Sequence, residues 1–146
     1  MQPRTTSQRI ADVLEKLKHD EDIWVASANE AGMAYLVPLS FSWDGTRLTV
    51  ATPRNSRTAR NLRRAGWTRM ALGPTRDVVT LEGPVEELAL DEDLHLAEEH
   101  AAQSFDPRGE PEEHVFIRLT PQTVQAYRSA PELAGRTIMR HGEWLE

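Results

Sequence analysis

The pair Asp44-Gly45 restricts the fold most, because it lies in a connection of only three residues between two strand-like segments. An Asp-Gly pair in this position predicts a tight β-hairpin. The strands that it joins, Ala34–Trp43 and residues 47–51, must then lie side by side and run in opposite directions. A parallel pair would instead need a crossover connection of about a dozen residues or more.

The rest of the chain continues this plan of strands joined by short turns, with helices at only a few points. Expected strands cover residues 22–28, 34–43, 47–51, 67–72, 78–90, 115–119 and 123–128, and expected helices cover residues 7–20, 56–65 and 91–105. The tail from Pro131 shows no clear periodicity. The pattern predicts a mainly β fold, an antiparallel barrel of six to seven strands with about three helices, and not a doubly wound parallel sheet. We expect residues 1–146 to form a single domain, since domains of this size are common.

Composition excludes several kinds of site. The chain has no cysteine, which excludes disulfides and thiolate chemistry. No apolar run approaches the roughly 20 residues that span a bilayer, so we expect a cytoplasmic protein with no membrane partner. His95 and His100 are five residues apart and do not share a helix face as a metal-binding pair would, so we expect no metal site. Nucleophile and phosphate-loop motifs are absent, and no catalytic side chain is predicted.

Basic residues are concentrated in one stretch of an acidic chain. The formal net charge is −6, from 17 basic and 23 acidic residues. Eight arginines and no acidic residue lie between Thr46 and Arg76, which leaves nine basic and 23 acidic residues elsewhere. This distribution suits one small bound anion better than a nucleic acid, whose phosphates the remaining acidic residues would repel.

The best anion site in this stretch is the start of the predicted helix at Ser56, Arg57 and Thr58. The first turn of a helix has unpaired backbone N–H groups and a partial positive charge. Two hydroxyls and a guanidinium at the same place suit a phosphate group. The alternative is a capped surface helix whose arginines are solvated.

A second candidate site is the strand segment Val37-Pro38-Leu39-Ser40. Proline cannot donate to a sheet, so the strand must lie at an edge or be bulged there. Backbone groups left free beside Pro38 are able to hydrogen-bond the edge of a flat heterocycle, while the neighbouring side chains pack against it. The alternative is an edge strand whose proline blocks aggregation. Trp144 is a third candidate, since it either docks on a partner subunit, covers a pocket or lies at a frayed end.

Several of these segments occur in a familiar order. They are Trp24-Val25-Ala26-Ser27-Ala28, Tyr35-Leu36-Val37-Pro38-Leu39-Ser40, Asp44-Gly45, Ala51-Thr52-Pro53 and Ser56-Arg57-Thr58-Ala59-Arg60-Asn61-Leu62. Their succession resembles the pyridoxamine 5'-phosphate oxidase-like, FMN-binding split-barrel family. Residues 78–83 and 136–140 also look like the small actinobacterial members. The resemblance covers nearly the whole chain.

The resemblance implies a six-stranded split barrel that forms a homodimer with two flavin sites at its interface. Residues then expected to bind the cofactor phosphate are Ser56, Arg57, Thr58 and Asn61. Residues expected to line or approach the isoalloxazine ring are Val37, Pro38, Leu39, Ser40, Ala51 and Thr52. Trp144 and the tail would reach the partner's site.

The function that the resemblance implies is that of an oxidoreductase dependent on FMN, or on the deazaflavin F420, with an unknown substrate. The chain is much shorter than true pyridoxamine phosphate oxidases and lacks their C-terminal Arg-x-His pattern, which argues against pyridoxamine phosphate as substrate. Both cofactors have a phosphate and a tricyclic ring, so nothing in the sequence separates them. The alternative is a non-catalytic protein that binds or sequesters a flavin or haem.

Overall fold

A computed structural model describes residues 2–145 and has a closed barrel of six antiparallel strands at its centre. The barrel strands are β1 (Asp22–Ala28), β2 (Ala34–Trp43), β3 (Leu48–Pro53), β4 (Trp67–Leu72), β5 (Val78–Ala89) and β6 (His114–Leu119). Three further strands, β7 (Thr123–Tyr127), β8 (Thr137–Arg140) and β9 (Glu143–Trp144), extend the sheet from one edge of β5. The helices are α1 (Thr6–His19), α2 (Arg57–Ala65), α3 (Leu94–Gln103) and α4 (Ala130–Leu133), and a single 3₁₀ turn covers Pro107–Gly109. The predicted mainly β, antiparallel barrel is confirmed.

Two strands of the barrel change partners along their length, which splits the barrel. Residues 34–40 of β2 pair with β1, whereas residues 41–43 pair with β3. On β5, residues 79–84 pair with β4 and residues 85–89 pair with β6. The first half of β2 therefore has a strand on one edge only.

The partner change on β5 falls directly after Gly83-Pro84. A Cβ atom on Gly83 would overlap the backbone carbonyl oxygen of Thr120 and lie 3.1 Å from the amide nitrogen of Gln122. Glycine is required here because the backbone of the β6–β7 turn passes directly over the strand.

The interior of the barrel is filled by side chains from all six strands and from α1 and α2. The largest fully buried members include Phe41, Ile23, Leu81 and Ile117. A smaller apolar cluster lies outside the barrel wall, where α3 packs Leu96 and Ala97 against Ala51, Leu88 and Phe116. None of the described helices is long and apolar enough to cross a membrane.

The tail has regular structure that its sequence does not indicate. Glu132, at the start of this segment, accepts hydrogen bonds from the Arg4 guanidinium and from its backbone amide. Arg9, in α1, donates to the carbonyl oxygen of Gly135. These contacts between the two ends of the chain fix the tail against α1.

Candidate functional site

The start of α2 is built from hydroxyl groups that bond to each other and to the helix. Ser56 caps α2 and accepts a hydrogen bond from the amide of Ala59 at 3.1 Å. Its Oγ atom also lies 2.8 Å from the Oγ1 of Thr52, at the end of β3. Thr52 and Thr58 are both buried. These hydroxyls therefore hold the turn between β3 and α2 in place.

Six of the eight arginines of the basic stretch form ion pairs or hydrogen bonds with other groups of the protein. Four of the eight form ion pairs with carboxylates: Arg47 with Asp44, Arg54 with Glu113, Arg63 with Glu87 and Arg69 with Glu82. Arg60 and Arg64 instead donate to the backbone carbonyls of Asn55 and Ala28. The stretch without acidic residues is thus half neutralised once the chain has folded.

Arg57 is held differently from its neighbours. Its guanidinium carbon lies 5.0 Å from the centre of the Tyr35 ring, on β2. This is a cation–π contact, which positions the group without neutralising it. Among the described residues, Arg57 has no carboxylate partner within 4.0 Å.

Arg57 and Tyr35 border a groove of about 280 Å³ between α2 and the β1–β2 hairpin. Asn61, Asn29 and Met33 line the rest of it. Asn61 is 6% exposed, and its Nδ2 donates to the Ser27 hydroxyl at 3.0 Å. The groove therefore combines one unneutralised cation, two amides and an aromatic ring.

A second, shallower groove of about 540 Å³ adjoins the first and shares Asn29 and Asn61 with it. Arg60 and Arg64 border this second groove. Positions 57, 60 and 64 are three and four residues apart, so the three cations follow one side of α2. The basic surface thus continues from the first groove into the second.

The one-sided half of β2 begins at the first groove and contains Pro38. The amide of Phe41 donates to the Glu21 carbonyl at 2.9 Å, toward β1. Because backbone groups of alternate residues face opposite edges, those of Pro38 and Leu36 face the edge that has no strand partner. Proline costs no sheet hydrogen bond there, which agrees with the predicted edge position.

The remaining predicted site residues lie in several environments. Val37 and Leu39 are half-buried, and Leu39 packs on the barrel core. Ser40 lies on the outer face, 3.2 Å from His100. Ala51 is buried under α3. The structure thus brings Arg57 and Asn61 to the groove that β2 enters, whereas Ser56 and Thr52 support the adjacent turn.

Trp144 lies away from these residues. It lies in β9, pairs with Met139 of β8 and borders a different groove, together with Trp43, Arg47 and Gln122. Within residues 2–145, no group of three or more His, Asp or Glu side chains is arranged to hold a metal ion.

Sequence patterns did not indicate that Tyr35, Asn29 and Met33 line a groove, or that Arg60 and Arg64 continue the candidate site. Arg60 and Arg64 carried a signal, since their spacing from Arg57 places all three on one side of a helix. For Tyr35, the only signal was its position in the segment Tyr35-Leu36-Val37-Pro38-Leu39-Ser40. Its contact with Arg57 depends on how the β1–β2 hairpin meets α2.

Comparison with known proteins agrees with this architecture. The family model described as pyridoxamine 5'-phosphate oxidase matches residues 10–128. No curated protein sequence matches the chain.

Solved structures with the same fold include three of interest. The conserved hypothetical protein Rv2991 from Mycobacterium tuberculosis aligns with a TM-score of 0.66 and 18% identity, over 81% of this chain and 83% of that one. An F420 reductase aligns with a TM-score of 0.60 and 17% identity, over 75% of this chain and 93% of the reductase chain. A heme binding protein from Mycobacterium smegmatis aligns with a TM-score of 0.72 and 15% identity, over 95% of this chain and 59% of its own. Identities this low establish a common fold only. With the family match and the six-stranded barrel together, the chain belongs to the pyridoxamine 5'-phosphate oxidase-like split-barrel family.

Proposed function

We propose that this protein is an oxidoreductase that uses FMN or F420, with its cofactor phosphate bound at Arg57. The observation that carries the proposal is a guanidinium that is fixed on the Tyr35 ring, borders a groove and has no carboxylate partner among the described residues. Such a group keeps its N–H donors free for a phosphate. The cofactor, when bound, supplies the hydride chemistry.

The chain's own residues have separate tasks in this proposal. Arg57 neutralises the phosphate, and Asn61 offers an amide beside it. Ser56 and Thr52 hold the turn before α2, so that Arg57 stays in place. The free edge of β2 presents the backbone groups of Pro38 and Leu36 to the edge of a planar ring.

The second groove bears on the choice of cofactor. FMN ends at its phosphate, whereas F420 continues beyond the phosphate into a chain that carries carboxylates. Arg60 and Arg64 extend the basic surface in that direction, and neither forms an ion pair with a carboxylate of residues 2–145. This arrangement favours F420 over FMN, and the F420 reductase among the structural neighbours has the same fold.

The direct test is titration of the purified protein with FMN and with F420, followed by visible absorbance. We expect binding in the micromolar range. Arg57→Ala should weaken binding about 10- to 150-fold, the equivalent of roughly 1.5–3 kcal/mol for a hydrogen bond to a charged group. The matched control is Arg54→Ala, which removes a neighbouring cation that already pairs with Glu113.

The variants also distinguish the two cofactors. Loss of Arg60 and Arg64 together should weaken F420 binding while leaving FMN binding within twofold. Equal losses from the Arg57 and Arg54 variants, or no binding of either cofactor by the wild-type protein, would contradict the proposal.

A non-catalytic binding protein is the alternative, and one structural neighbour is described as a heme binding protein. No histidine borders either of the two grooves beside α2, as the structure describes them. The loaded protein should therefore be reduced by a hydride or electron donor and reoxidised. Tight binding without turnover would support sequestration instead.

We also propose that a second copy of the chain covers the outer face of β1, β2 and β4. Trp24 pairs with Pro38 on one side and Ala71 on the other, and the residues Trp24, Leu36 and Trp67 are 48%, 59% and 48% exposed. Contiguous apolar residues of this size on a sheet face mark an interaction surface. Sedimentation should give a dimer that Trp24→Glu converts to a monomer, whereas a monomeric wild-type protein would refute this assignment.

A further inference from the structure

His100, on α3, is a buried imidazole whose two ring nitrogens both bond to β2. Its Nε2 lies 3.2 Å from the Oγ of Ser40, and its Nδ1 lies 2.9 Å from the Oγ of Ser42. The residue is 0% exposed and packs against the Phe116 ring at 5.2 Å between centroids. A neutral imidazole has one donor and one acceptor, so the two hydroxyls satisfy it completely.

Two further side chains of the same helix end bond to the backbone of β2 between and beyond these serines. The Ser104 hydroxyl donates to the carbonyl oxygen of Phe41 at 2.8 Å. The Gln103 Oε1 accepts from the amide of Trp43 at 2.9 Å. Gln103 also donates to the backbone carbonyls of Leu17 and Asp20, at the end of α1. We call His100, Gln103 and Ser104 the α3 clamp.

The α3 clamp lies at the point where β2 changes partners. Ser40 is the last β2 residue that pairs with β1, and Phe41 is the first that pairs with β3. Four consecutive residues across this point each bond to the α3 clamp. From Ser40 back to Tyr35, β2 has one strand partner only. This stretch is about 17 Å long at the usual rise per residue.

A strand that is paired on one edge only has more freedom to change its angle where the second partner is lost. Hydrogen bonds to side chains and backbone on both sides of that point remove this freedom, because they fix the direction in which the strand leaves the barrel. An apolar residue at position 100 would fill the same space without bonding to either serine. The imidazole therefore supplies direction as well as packing.

We propose that the α3 clamp is a positioning device, in which His100 sets the direction of residues 34–40 of β2 and so places the ring-lining strand relative to Arg57. The role in cofactor placement rests on the proposed function, whereas the effect on the strand does not. His100 acts through Ser40 and Ser42 and does not itself border the groove.

The test compares His100→Phe, which keeps a ring of similar size, with His100→Gln, whose amide retains a donor and an acceptor. His95→Phe is the control, since His95 lies on the same helix with its side chain 85% exposed. Amide hydrogen exchange of the unliganded protein should become at least tenfold faster in residues 34–40 of His100→Phe and stay unchanged in β3. His100→Gln should restore most of the protection.

Binding then reports on the cofactor. FMN and F420 should bind His100→Phe about tenfold more weakly, with a visible spectrum shifted relative to the wild-type complex. If neither binds the wild-type protein, the proposed function fails while the exchange data still decide the effect on the strand. Unchanged exchange in residues 34–40, or equal acceleration in β3, would overturn the proposal. Should His100→Phe not fold, Ser42→Ala removes one of the two bonds and should give the same pattern at a few-fold amplitude.

Discussion

Lowering the pH should destabilise this protein well before its carboxylates begin to protonate, because His100 is buried in its neutral form. Burial lowers the pKa of His100 from 6.5 to about 4, although the Asp106 carboxylate opposes this shift. In the unfolded chain the same imidazole has its ordinary pKa. The folded protein therefore binds fewer protons, and stability is fully present above pH 6.5 and lost as the pH falls toward 4.

The size of the effect follows from the two pKa values. Between pH 7.5 and pH 5, the difference in proton binding lowers the free energy of unfolding by about 2 kcal/mol. Glu132 contributes little in this range, since its hydrogen bonds with Arg4 lower its pKa from 4.5 to about 2. Protonation of Glu132 therefore reduces the free energy of unfolding only below pH 4.5. The window between pH 6.5 and pH 5 thus isolates the histidine.

Urea denaturation at several pH values measures this loss directly. His100→Gln removes the titrating group, so its free energy of unfolding should change by less than about 0.5 kcal/mol between pH 7.5 and pH 5, a quarter of the wild-type change. His95→Phe should retain the wild-type dependence. A wild-type protein that is equally stable at both pH values, or a His100→Gln variant with the full loss, would refute the assignment to His100.

Two further predictions concern the structure that supports the site. Glu132→Gln leaves the Arg4 guanidinium without its main carboxylate partner, and should lower the free energy of unfolding at pH 7 by about 3 kcal/mol. Asp12→Asn changes a half-exposed partner of the same arginine, and should lower it by less than about 1 kcal/mol. Gly83→Ala places a methyl group against the Thr120 carbonyl and should cost about 1–3 kcal/mol in urea denaturation, whereas Gly109→Ala, with nothing near its Cβ, should be close to neutral. Equal losses within either pair would contradict the packing described.

Local signals were sufficient for most of the barrel. The bounds of β1, β2 and β4 agree with those predicted from strand composition and turns. At α2, Ser56 caps the helix and Gly66 ends it with a positive φ, as the sequence indicates. The tail could not be predicted in this way, because α4 and β8 depend on contacts with Arg4 and with α1 that join residues more than a hundred positions apart.

Contacts between distant parts of the chain also limit what the sequence says about the candidate site. Eight arginines without a nearby acid suggest a strong positive surface, yet partners such as Glu87, Glu82 and Glu113 come from other parts of the chain. Folding leaves Arg57 as a cation held on an aromatic ring at the mouth of a groove. Charge along the sequence therefore indicated one helix as the candidate site, whereas tertiary contacts showed that Arg57 is the arginine of this helix held on an aromatic ring.

The split in the barrel connects the free edge, Pro38 and the α3 clamp. Where β2 leaves β3, its outer edge loses strand partners, and Pro38 occupies a position whose backbone nitrogen faces that edge. The exposed edge is useful only if its direction is fixed, since a ring that contacts backbone groups requires them at defined positions. Strand pairing constrains this direction from one side only, and a helix on the outer face adds a second constraint through His100, Gln103 and Ser104. A buried histidine in this small domain thus follows from the same geometry that leaves the edge of β2 free for the proposed cofactor.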